Sequence, residues 1–400
     1  MTPSVRSEVG RLRTVLIHRP GTELERVTPD NKDELLFDEL LWVEHAQAEH
    51  DAFAEVLGAA GVEVLHLERL LAEVVADPDL ARALVESQVT ETTCGPHAVD
   101  RVRELLLSED PTGLVGHLFG GVTATEAGVT GGLVAAAGGP GDLLLAPLPN
   151  AVFTRDSSAW IGEGVVLCPM NRLVRRRETD LLRFLYANHP RFGDPTVWFG
   201  GEAGEHYPAT LEGGDILVVD QRGVAIGISE RTSAAGLELL AARLFAAGVV
   251  DRVLAVDLPR QRATMHLDTV ITQVDTDAFL LYPAMQERTA TYALTPSAGG
   301  VSVTAAGGLA EGLAWVRGGR EVRLIRPEMT SARAQREQWN DANNVLALQP
   351  GEVIAYERNV ATNEVLADAG ITVRTIPSYE LPRGRGGPRC MSCPVVRDVP

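Results

Sequence analysis

The sequence predicts an α/β fold built from one repeated unit. In each unit, an apolar run, a tight turn and a second apolar run are followed by a helical stretch and a third apolar run. Five such units can be traced along the chain. Three of their helices end in the same alanine–glycine pair, at 60–61, 247–248 and 369–370. Repetition at this scale indicates a radially or linearly repeated α/β architecture.

The third unit is the clearest, because a turn of sequence Asp-Gln-Arg-Gly separates its two strands and a glycine ends its helix. The fourth unit is less regular than the others. The predicted elements are, in chain order, 14–17, 42–60 and 62–67 in the first unit; 153 to a turn at 162–164, then 165–167, 178–187 and 196–199 in the second; 213–219, 224–228, 233–247 and 249–256 in the third; 267 to a turn at 275–277, then 279–282 and 322–325 in the fourth; and 345–348, 353–356, 363–369 and 371–376 in the fifth.

Residues 70–130 interrupt the repeat between the first and second units. Their pattern is typical of several short helices, including one at 78–88 and one at 96–108. We therefore predict a single α/β domain spanning residues 1–400, with an inserted helical subdomain at 70–130.

Composition and charge exclude several classes of partner. The chain has 36 Lys and Arg against 54 Asp and Glu, which gives a formal net charge of −18. Such a chain repels nucleic acid and anionic membranes, so neither is expected as a main partner. No apolar stretch has the length of a membrane helix, and the N-terminus lacks a signal-peptide pattern. Four cysteines are too few for a disulfide scaffold, so we expect a cytoplasmic protein.

Three segments place acidic residues and a histidine at the start of predicted strands. Asp156 follows an apolar tripeptide, where an ordinary turn aspartate is the alternative. Glu212 precedes two glycines, which allow a close backbone approach but also suit a simple turn. His266 and Asp268 are two residues apart, so a strand would direct both side chains to one face. That pair suits acid–base chemistry or metal binding, and an exposed strand face is the alternative.

A fourth segment is a loop rich in glycine and arginine that ends at Cys390. Cationic neighbours lower the pKa of a thiol and favour the reactive thiolate, whereas a buried inert cysteine is the alternative. Cys390 and Cys393 also form a C-x-x-C pair. A redox pair is expected at a strand–helix junction and a structural zinc site needs two more ligands, so neither is favoured here.

One reaction needs all of these residue types together. Acyl-transfer enzymes combine cysteine with histidine but require oxyanion donors, not a cluster of acids. Several carboxylates are costly to bury unless they meet a cation. Guanidinium is a planar cation whose N–H donors match carboxylates in bidentate fashion. The residues therefore favour nucleophilic attack by a cysteine on a guanidinium group.

Three of these segments resemble those of arginine deiminases, members of the guanidino-group-modifying (pentein) superfamily. They are Leu211-Glu-Gly-Gly-Asp, Met265-His-Leu-Asp-Thr and Gly384-Arg-Gly-Gly-Pro-Arg-Cys-Met-Ser. The resemblance extends to three further segments, at 35–39, 150–156 and 338–341. It covers nearly the whole chain, including the helical insertion. It implies a five-bladed α/β propeller of pseudo-fivefold ββαβ units.

The resemblance also implies a hydrolase that converts free L-arginine to L-citrulline and ammonia without a metal or cofactor. Cys390 would attack the guanidinium carbon and form an amidino-cysteine intermediate. His266 would protonate the departing ammonia and then activate water. Asp156 and Asp268 would hold the guanidinium nitrogens, and Glu212 would orient the imidazole and a nitrogen.

Five further residues are implied to bind or position the rest of the substrate. Arg175 and Arg231 resemble carboxylate-binding arginines of the family, and Asn150 would assist them. Gly384 and Arg385, on the loop before the nucleophile, would respond to substrate. A homo-oligomer is expected as well.

Other interpretations stay open at this point. An amidinotransferase shares the Cys–His–acid core but passes the amidino group to an amine, and another small guanidino compound could be the substrate. A non-catalytic arginine-binding protein is a third interpretation, although the complete set of five reactive residues argues against it. We also consider that oxidation could join Cys393 to Cys390 and inactivate the enzyme.

Overall fold

The computed structural model describes residues 2–138, 142–201, 206–285 and 289–400. Its architecture is α/β, as the sequence predicts. The strands are β1 Leu12–Ile17, β2 Glu63–His66, β3 Val122–Thr123, β4 Leu143–Leu145, β5 Ser158–Ile161, β6 Gly164–Leu167, β7 Thr196–Phe199, β8 Ile216–Asp220, β9 Gly223–Ile228, β10 Arg252–Asp257, β11 Ile271–Gln273, β12 Ala278–Leu281, β13 Ala290–Ser297, β14 Gly300–Ala305, β15 Arg323–Ile325, β16 Leu346–Gln349, β17 Glu352–Tyr356, β18 Thr372–Ile376 and β19 Cys393–Arg397.

Helices connect these strands and cover the sheets. The α-helices are α1 Thr22–Glu25, α2 Val43–Ala59, α3 Leu67–Val74, α4 Pro78–Gln88, α5 Glu91–Cys94, α6 Val99–Ser108, α7 Pro111–Gly120, α8 Gly132–Ala137, α9 Thr154–Ser157, α10 Arg176–Asn188, α11 Ala234–Ala246, α12 Leu309–Val316, α13 Ser331–Trp339 and α14 Val360–Asp368. Short 3₁₀ turns occur at Pro149–Val152, Leu173–Arg175, Gly213–Asp215, Arg262–Thr264, Leu267–Thr269, Pro283–Met285 and Leu381–Gly384.

The predicted hairpin–helix–strand unit is visible in the strand pairing. In four sheets the second strand of the unit pairs antiparallel with the strand before it and parallel with a later strand. These second strands are β6, β9, β12 and β17. The antiparallel pair is a hairpin, whereas the parallel partner must return through a crossover that contains a helix. The first strand of each unit therefore occupies the same position in its sheet, antiparallel to the second strand.

The N-terminal unit takes its first strand from the other end of the chain. β1 pairs parallel with β2 and antiparallel with β19, with Leu16 opposite Cys393. Buried Arg397 reinforces this connection, because its guanidinium donates to Gly10 O at 2.7 Å and Ala347 O at 2.8 Å. Residues 14–67 contain only β1 and β2 of this three-stranded sheet, because β19 lies at the other end of the sequence.

The fourth unit is irregular because a hairpin interrupts it. β13 and β14 lie between β12 and β15 in sequence, yet β13 pairs with β10 of the preceding unit. The third sheet therefore has five strands, in the order β14-β13-β10-β9-β8. Adding two strands to a neighbouring sheet explains why the fourth unit departs from the repeat.

The predicted insertion consists mainly of helices. The predicted helix at 78–88 is α4, whereas the helix predicted at 96–108 begins three residues later, as α6. Leu84 and Leu118 of this region are fully buried in the same hydrophobic cluster as Val166 of β6. The inserted helices thus share a core with the second sheet. No helix in the described ranges is long and apolar enough to cross a membrane.

Candidate active site

The predicted site residues lie just before the first strands of the sheets. Asp156 is in the short helix before β5, Glu212 precedes the 3₁₀ turn before β8, and His266 precedes the one before β11. Cys390 comes shortly before β19, which is the first strand of the N-terminal sheet. Asn344 occupies the corresponding place before β16. The repeated unit therefore brings one polar segment from each sheet to a common centre.

The strand predicted at residue 267 does not form there. Residues Leu267–Thr269 are a 3₁₀ turn, and β11 begins only at Ile271. Asp215 holds this turn, since its Oδ1 accepts the Leu267 N–H at 2.8 Å. His266 and Asp268 consequently do not share one strand face, and each meets a different partner.

His266 is buried between two carboxylates. Its Nε2 lies 2.7 Å from Glu212 Oε2, and its Nδ1 lies 3.6 Å from Asp156 Oδ1. Burial lowers the pKa of His266, but the charge of Asp156 and the hydrogen bond to Glu212 outweigh burial and raise it to about 9. His266 is therefore an imidazolium near neutral pH, the form that can donate a proton.

Glu212 is itself fixed in place. Its Oε1 accepts the Asn171 N–H at 3.1 Å, and Arg231 Nη1 lies 3.5 Å from its Oε2. Gly214 permits this crowding, because a Cβ at that position would lie 2.7 Å from His266 Nδ1 and 2.9 Å from Asp156 Oδ1. Burial raises the pKa of Glu212, yet Arg231 and the hydrogen bond to His266 lower it overall, so the carboxylate stays ionised.

Cys390 is a buried thiol beside Asp268. The Sγ atom lies 3.7 Å from Asp268 Oδ2, and the Cys390 N–H donates to Asn344 Oδ1 at 2.9 Å. Burial raises the pKa of the thiol well above its ordinary value, and the charges of Asp268 and Asp156 raise it further. The expectation that cationic neighbours in the loop lower this pKa is therefore wrong, because burial and the surrounding acids raise it.

Two acidic oxygens at the site accept no hydrogen bond from the described residues, although Asp156 Oδ1 lies 3.6 Å from the His266 imidazolium. Asp156 Oδ1 and Asp268 Oδ1 are buried, and neither accepts a hydrogen bond from any described residue. The other oxygens of the same groups are paired, Asp156 Oδ2 with Arg175 at 2.7 Å and Asp268 Oδ2 with Arg389 at 2.7 Å. Buried carboxylate oxygens without donors are costly, so these two atoms indicate a place for a ligand with N–H donors.

The five predicted binding residues line one narrow cavity together with Cys390 and His266. The cavity is lined by Leu36, Asn150, Phe153, Asp156, Arg175, Arg231, Arg262, Met265, His266, Gly384, Arg385 and Cys390. A larger cavity of about 740 Å³ lies against α3 and α7, and none of the predicted site residues lines it. Of the five predicted catalytic residues, Asp156, His266 and Cys390 line the narrow cavity, whereas Glu212 and Asp268 do not line it but contact His266 and Cys390.

Arg175 and Asn150 are engaged with other groups of the protein. Arg175 Nη1 donates to Asp156, and its Nη2 donates to Glu178 Oε2 at 2.8 Å and to Asn150 O at 3.3 Å. The side-chain amide of Asn150 donates to Leu35 O at 2.7 Å. In this structure both residues organise the wall of the cavity.

Arg385 and Arg231 have donors that the protein leaves unused. Arg385 adopts a left-handed backbone conformation with φ 68°, and its guanidinium stacks on Trp339 at 3.7 Å from the ring centre. Its Nε and Nη2, like Nε of Arg231, lack a hydrogen-bond partner among the described residues. Gly384 precedes Arg385 and packs beside Phe37, where a Cβ would lie 3.2 Å from the ring. Both arginines are therefore suited to meet an anionic group.

Asp156, Glu212 and His266 also offer one ligand atom each within 4.8 Å of one another, a spacing compatible with a metal ion. Glu212 and His266 already use the facing atoms in a hydrogen bond to each other. Arg231 supplies a positive charge on the same carboxylate, which disfavours a second cation there. The absence of a metal from the mechanism stays a prediction.

Comparison with known proteins identifies the family. The family model for arginine deiminase matches residues 33–397. An arginine deiminase from Rhodococcus erythropolis is 44% identical over 402 residues, which cover 98% of this chain and 97% of that protein. The chain belongs to the arginine deiminase family. The resemblance described from sequence motifs is thereby confirmed.

Solved structures of other proteins share the fold of this arginine deiminase family member. An amidinotransferase from Microseira wollei superposes with a TM-score of 0.57 at 14% identity, covering 100% of this chain and 98% of that one. A dimethylarginine dimethylaminohydrolase from Pseudomonas aeruginosa, complexed with citrulline, gives a TM-score of 0.55 at 15% identity, covering 96% and 99%. At such low identity these likenesses concern the fold alone.

Sequence motifs missed three residues that hold the site of this family member. Asn344 receives the Cys390 N–H and donates to Asp268 O at 3.1 Å, so it joins two loops. Arg389 pairs with Asp268 and also with Glu8, whose Oε2 lies 3.1 Å from Arg389 Nε. Arg389 adjoins the nucleophile and could have been suspected, but Glu8 and Asn344 carry no such signal.

Cys393 faces away from the nucleophile's surroundings. Its Sγ lies 3.4 Å from Ser158 O and 3.6 Å from Ser158 Oγ, within the hydrophobic cluster of the second sheet. Cys390 belongs to a different cluster, and both thiols are free. Formation of a disulfide between them on oxidation stays a prediction.

Proposed function

We propose that this chain hydrolyses the guanidinium group of free L-arginine to L-citrulline and ammonia, with Cys390 as the nucleophile. The observation that carries the proposal is the pair of buried carboxylate oxygens on Asp156 and Asp268 that accept no hydrogen bond from the described residues, beside a buried thiol and an imidazolium. A guanidinium supplies the N–H donors that these oxygens lack and carries a charge opposite to theirs.

Substrate binding prepares the nucleophile in the proposed mechanism. The guanidinium lies between Asp156 and Asp268 and donates to their free oxygens. Its positive charge offsets the two acids that raise the pKa of Cys390, so the thiol loses its proton to solvent. Because the thiolate forms only when a cation occupies the site, a neutral amide does not activate Cys390.

The first chemical step replaces ammonia with sulfur. The thiolate forms a bond to the guanidinium carbon, and the electrons of a C–N double bond move to nitrogen. The His266 imidazolium donates a proton to the departing nitrogen, which leaves as ammonia when its bond to carbon breaks. An amidino-cysteine on Cys390 and a neutral imidazole remain.

The second step restores the enzyme. Neutral His266 accepts a proton from water as the water oxygen bonds to the amidino carbon. The bond from carbon to Cys390 sulfur then breaks with its electron pair on sulfur, the proton of the new hydroxyl group passes to solvent, and citrulline is released with the new oxygen as its ureido carbonyl. The thiolate regains a proton from solvent once the site has emptied. Glu212 keeps the imidazole oriented in both steps through its 2.7 Å contact with Nε2.

The remaining predicted residues act on the amino-acid end of the substrate in this proposal. Arg231 and Arg385 have unused donors and bind the α-carboxylate. Arg175 and Asn150 assist through the wall they form, and Arg175 also holds Asp156 in position. Gly384 keeps the loop narrow beside Phe37.

We also propose the overall arrangement that serves this site. Five of the six sheets, all but the two-stranded sheet of β3 and β4, are arranged as the blades of an α/β propeller, and each unit contributes one segment to its centre. Residues 1–400 form one catalytic domain, in which 70–130 is an inserted helical subdomain. Support comes from the common strand order of the sheets and from the pairing of β19 with β1.

A pair of cysteine variants tests the proposal. Cys390→Ser should abolish citrulline formation and still bind arginine, whereas Cys393→Ser, an equally buried cysteine three residues away, should retain turnover. Citrulline is measured by colorimetry and binding by calorimetry. Normal turnover by Cys390→Ser would contradict the mechanism.

The amidinotransferase alternative predicts different products. A hydrolase releases one ammonia for each arginine consumed, whether or not an acceptor amine is present. An amidinotransferase releases ornithine and transfers the amidino group to the acceptor. Assays with arginine, agmatine, methylated arginines and peptidyl-arginine would define how strictly free L-arginine is required.

A further inference from the structure

The hairpin β13–β14 gives the third sheet a free edge. β14 is the outermost strand of that sheet, and five of its six residues are exposed. Helix α11 packs against β13 and β14, and Leu239 on α11 and Val303 on β14 expose 44% and 50% of their surfaces. The hairpin therefore presents a sheet edge bordered by apolar side chains.

Hydrogen bonding within the hairpin determines which backbone groups face outward. The Ala306 N–H donates to Thr291 O at 2.9 Å, so these residues form a hydrogen-bonded pair. Hydrogen-bonded and non-hydrogen-bonded pairs alternate along an antiparallel ladder. The backbone N–H and C=O groups of residues 304, 302 and 300 therefore also point toward β13. The residues whose N–H and C=O groups point away from β13 are Val301, Val303 and Ala305.

This edge lacks the usual protection against pairing with another strand. Exposed edges are commonly defended by lysine and other charges, by proline or by bulges. Residues 289–310 contain no Asp, Glu, Lys, Arg or His, and β14 contains no proline. The β13–β14 register is also continuous from Tyr292 opposite Ala305 to Ser297 opposite Gly300. The edge is thus regular and available to a strand of matching chemistry.

The chemistry of the edge favours a second copy of this chain as its partner. Each chain carries a net charge of −18, so two copies repel one another over most of their surfaces. An uncharged segment is where two such chains can approach closely. An antiparallel strand edge is self-complementary, because each outward N–H of one copy can meet an outward C=O of the other.

We propose that two copies of this chain join their β14 strands antiparallel about a twofold axis at Val303, forming one continuous sheet. Val303 then faces its own counterpart, and Val301 of each copy faces Ala305 of the other. All three are outward-facing residues, so each pairing can exchange two backbone hydrogen bonds. Leu239 lies on α11, which packs against β13 and β14, and its exposed side chain adds apolar contact beside the edge.

Placing a charge at the axis tests the interface. Val303→Lys sets two like charges opposite each other, so the mass of the assembly measured by sedimentation equilibrium should halve while citrulline formation persists. Val360→Lys is a matched control, because Val360 is also 50% exposed but lies at the start of α14, and its mass should equal that of the wild type. A monomeric wild type, or a Val303→Lys protein of unchanged mass, would overturn the proposal.

A disulfide across the axis tests the register. Residues in a hydrogen-bonded antiparallel pair have Cα atoms about 5.5 Å apart, within reach of a disulfide. Val303→Cys should therefore give a covalent dimer under mild oxidation, and the four native cysteines are all buried. Val360→Cys, the control, should stay a single chain on a non-reducing gel. Failure of Val303→Cys to cross-link more than this control would contradict the twofold pairing at that residue.

Discussion

Acidic groups control the chemistry of Cys390 in two opposite ways. Burial, together with Asp268 and Asp156, raises the pKa of the thiol and keeps it protonated. In the proposed mechanism, the same carboxylates bind the guanidinium, whose charge offsets their effect on the sulfur. Selectivity for a cationic substrate therefore arises from the residues that bind it.

Asp268→Asn separates these two effects. Removing the charge of Asp268, which raises the pKa of Cys390, should lower that pKa and speed alkylation of the thiol by iodoacetamide at neutral pH. The same change removes a partner of the guanidinium, which costs about 2–5 kcal/mol and lowers kcat/KM roughly 30-fold or more. Alkylation rates over pH and arginine kinetics measure the two outcomes. Slower alkylation together with reduced turnover would contradict the account.

Glu212→Gln tests the assignment of the imidazolium. The pKa of His266 is raised to about 9, in part by the hydrogen bond to Glu212, so a neutral glutamine should move its titration well below 9. The protonated form is needed for the first step, and kcat should fall about 100-fold near neutral pH. NMR of the histidine ring protons measures the titration. His18, whose pKa is raised to about 10 by Glu23 and Glu68 against the effect of burial, is an internal control that should not move.

At the scale of the elements, the sequence predicted which segments form the site but not their local conformation. Period-two alternation at His266 and Asp268 suggested a strand, yet Asp215, from another unit, holds a 3₁₀ turn there by accepting the Leu267 N–H. A contact between units leaves no local pattern. The hairpin β13–β14 escaped prediction for the same reason, because its partner β10 belongs to the preceding unit.

Gly214→Ala tests how tightly the loops meet. Its Cβ would lie 2.7 Å from His266 Nδ1 and 2.9 Å from Asp156 Oδ1, so the two side chains must separate. We expect a loss of kcat of about 100-fold with an unchanged circular dichroism spectrum. Gly58→Ala is the control, because a Cβ there meets no atom within 4 Å, and its activity should match the wild type.

At the scale of the whole molecule, the N-terminal and C-terminal segments of the chain meet next to Cys390. β19 pairs with β1, and Glu8 reaches Arg389, which in turn holds Asp268. The repeated units and the five reactive residues were predictable because their patterns are local or resemble a known family. Glu8 was not, since its partner is 381 positions away in sequence.

Glu8→Gln tests this connection through stability. Burial raises the pKa of Glu8, but Arg389 and Arg155 outweigh it and lower the pKa to about 2. The pKa of Glu8 is about 2 in the folded chain and near 4.5 in the unfolded chain, so the ionised carboxylate stabilises the fold fully above pH 4.5. That stabilisation is lost as the pH falls from 4.5 toward 2. Glu8→Gln should therefore reduce the urea midpoint strongly at pH 7 and less at pH 3. Glu44→Gln, a control at an exposed position, should leave the urea midpoint unchanged at pH 7 and at pH 3. If Glu8→Gln lowered the midpoint equally at the two pH values, the ionised pair of Glu8 and Arg389 would be contradicted.

The covalent intermediate provides the most direct test of the account. Wild-type protein mixed with excess arginine is quenched in acid within milliseconds, digested and analysed by mass spectrometry. The account predicts that the peptide containing Cys390 gains the mass of arginine less ammonia, and that the adduct disappears once arginine is exhausted. An adduct on any other residue, or turnover without an adduct on Cys390 at any time point, would contradict it.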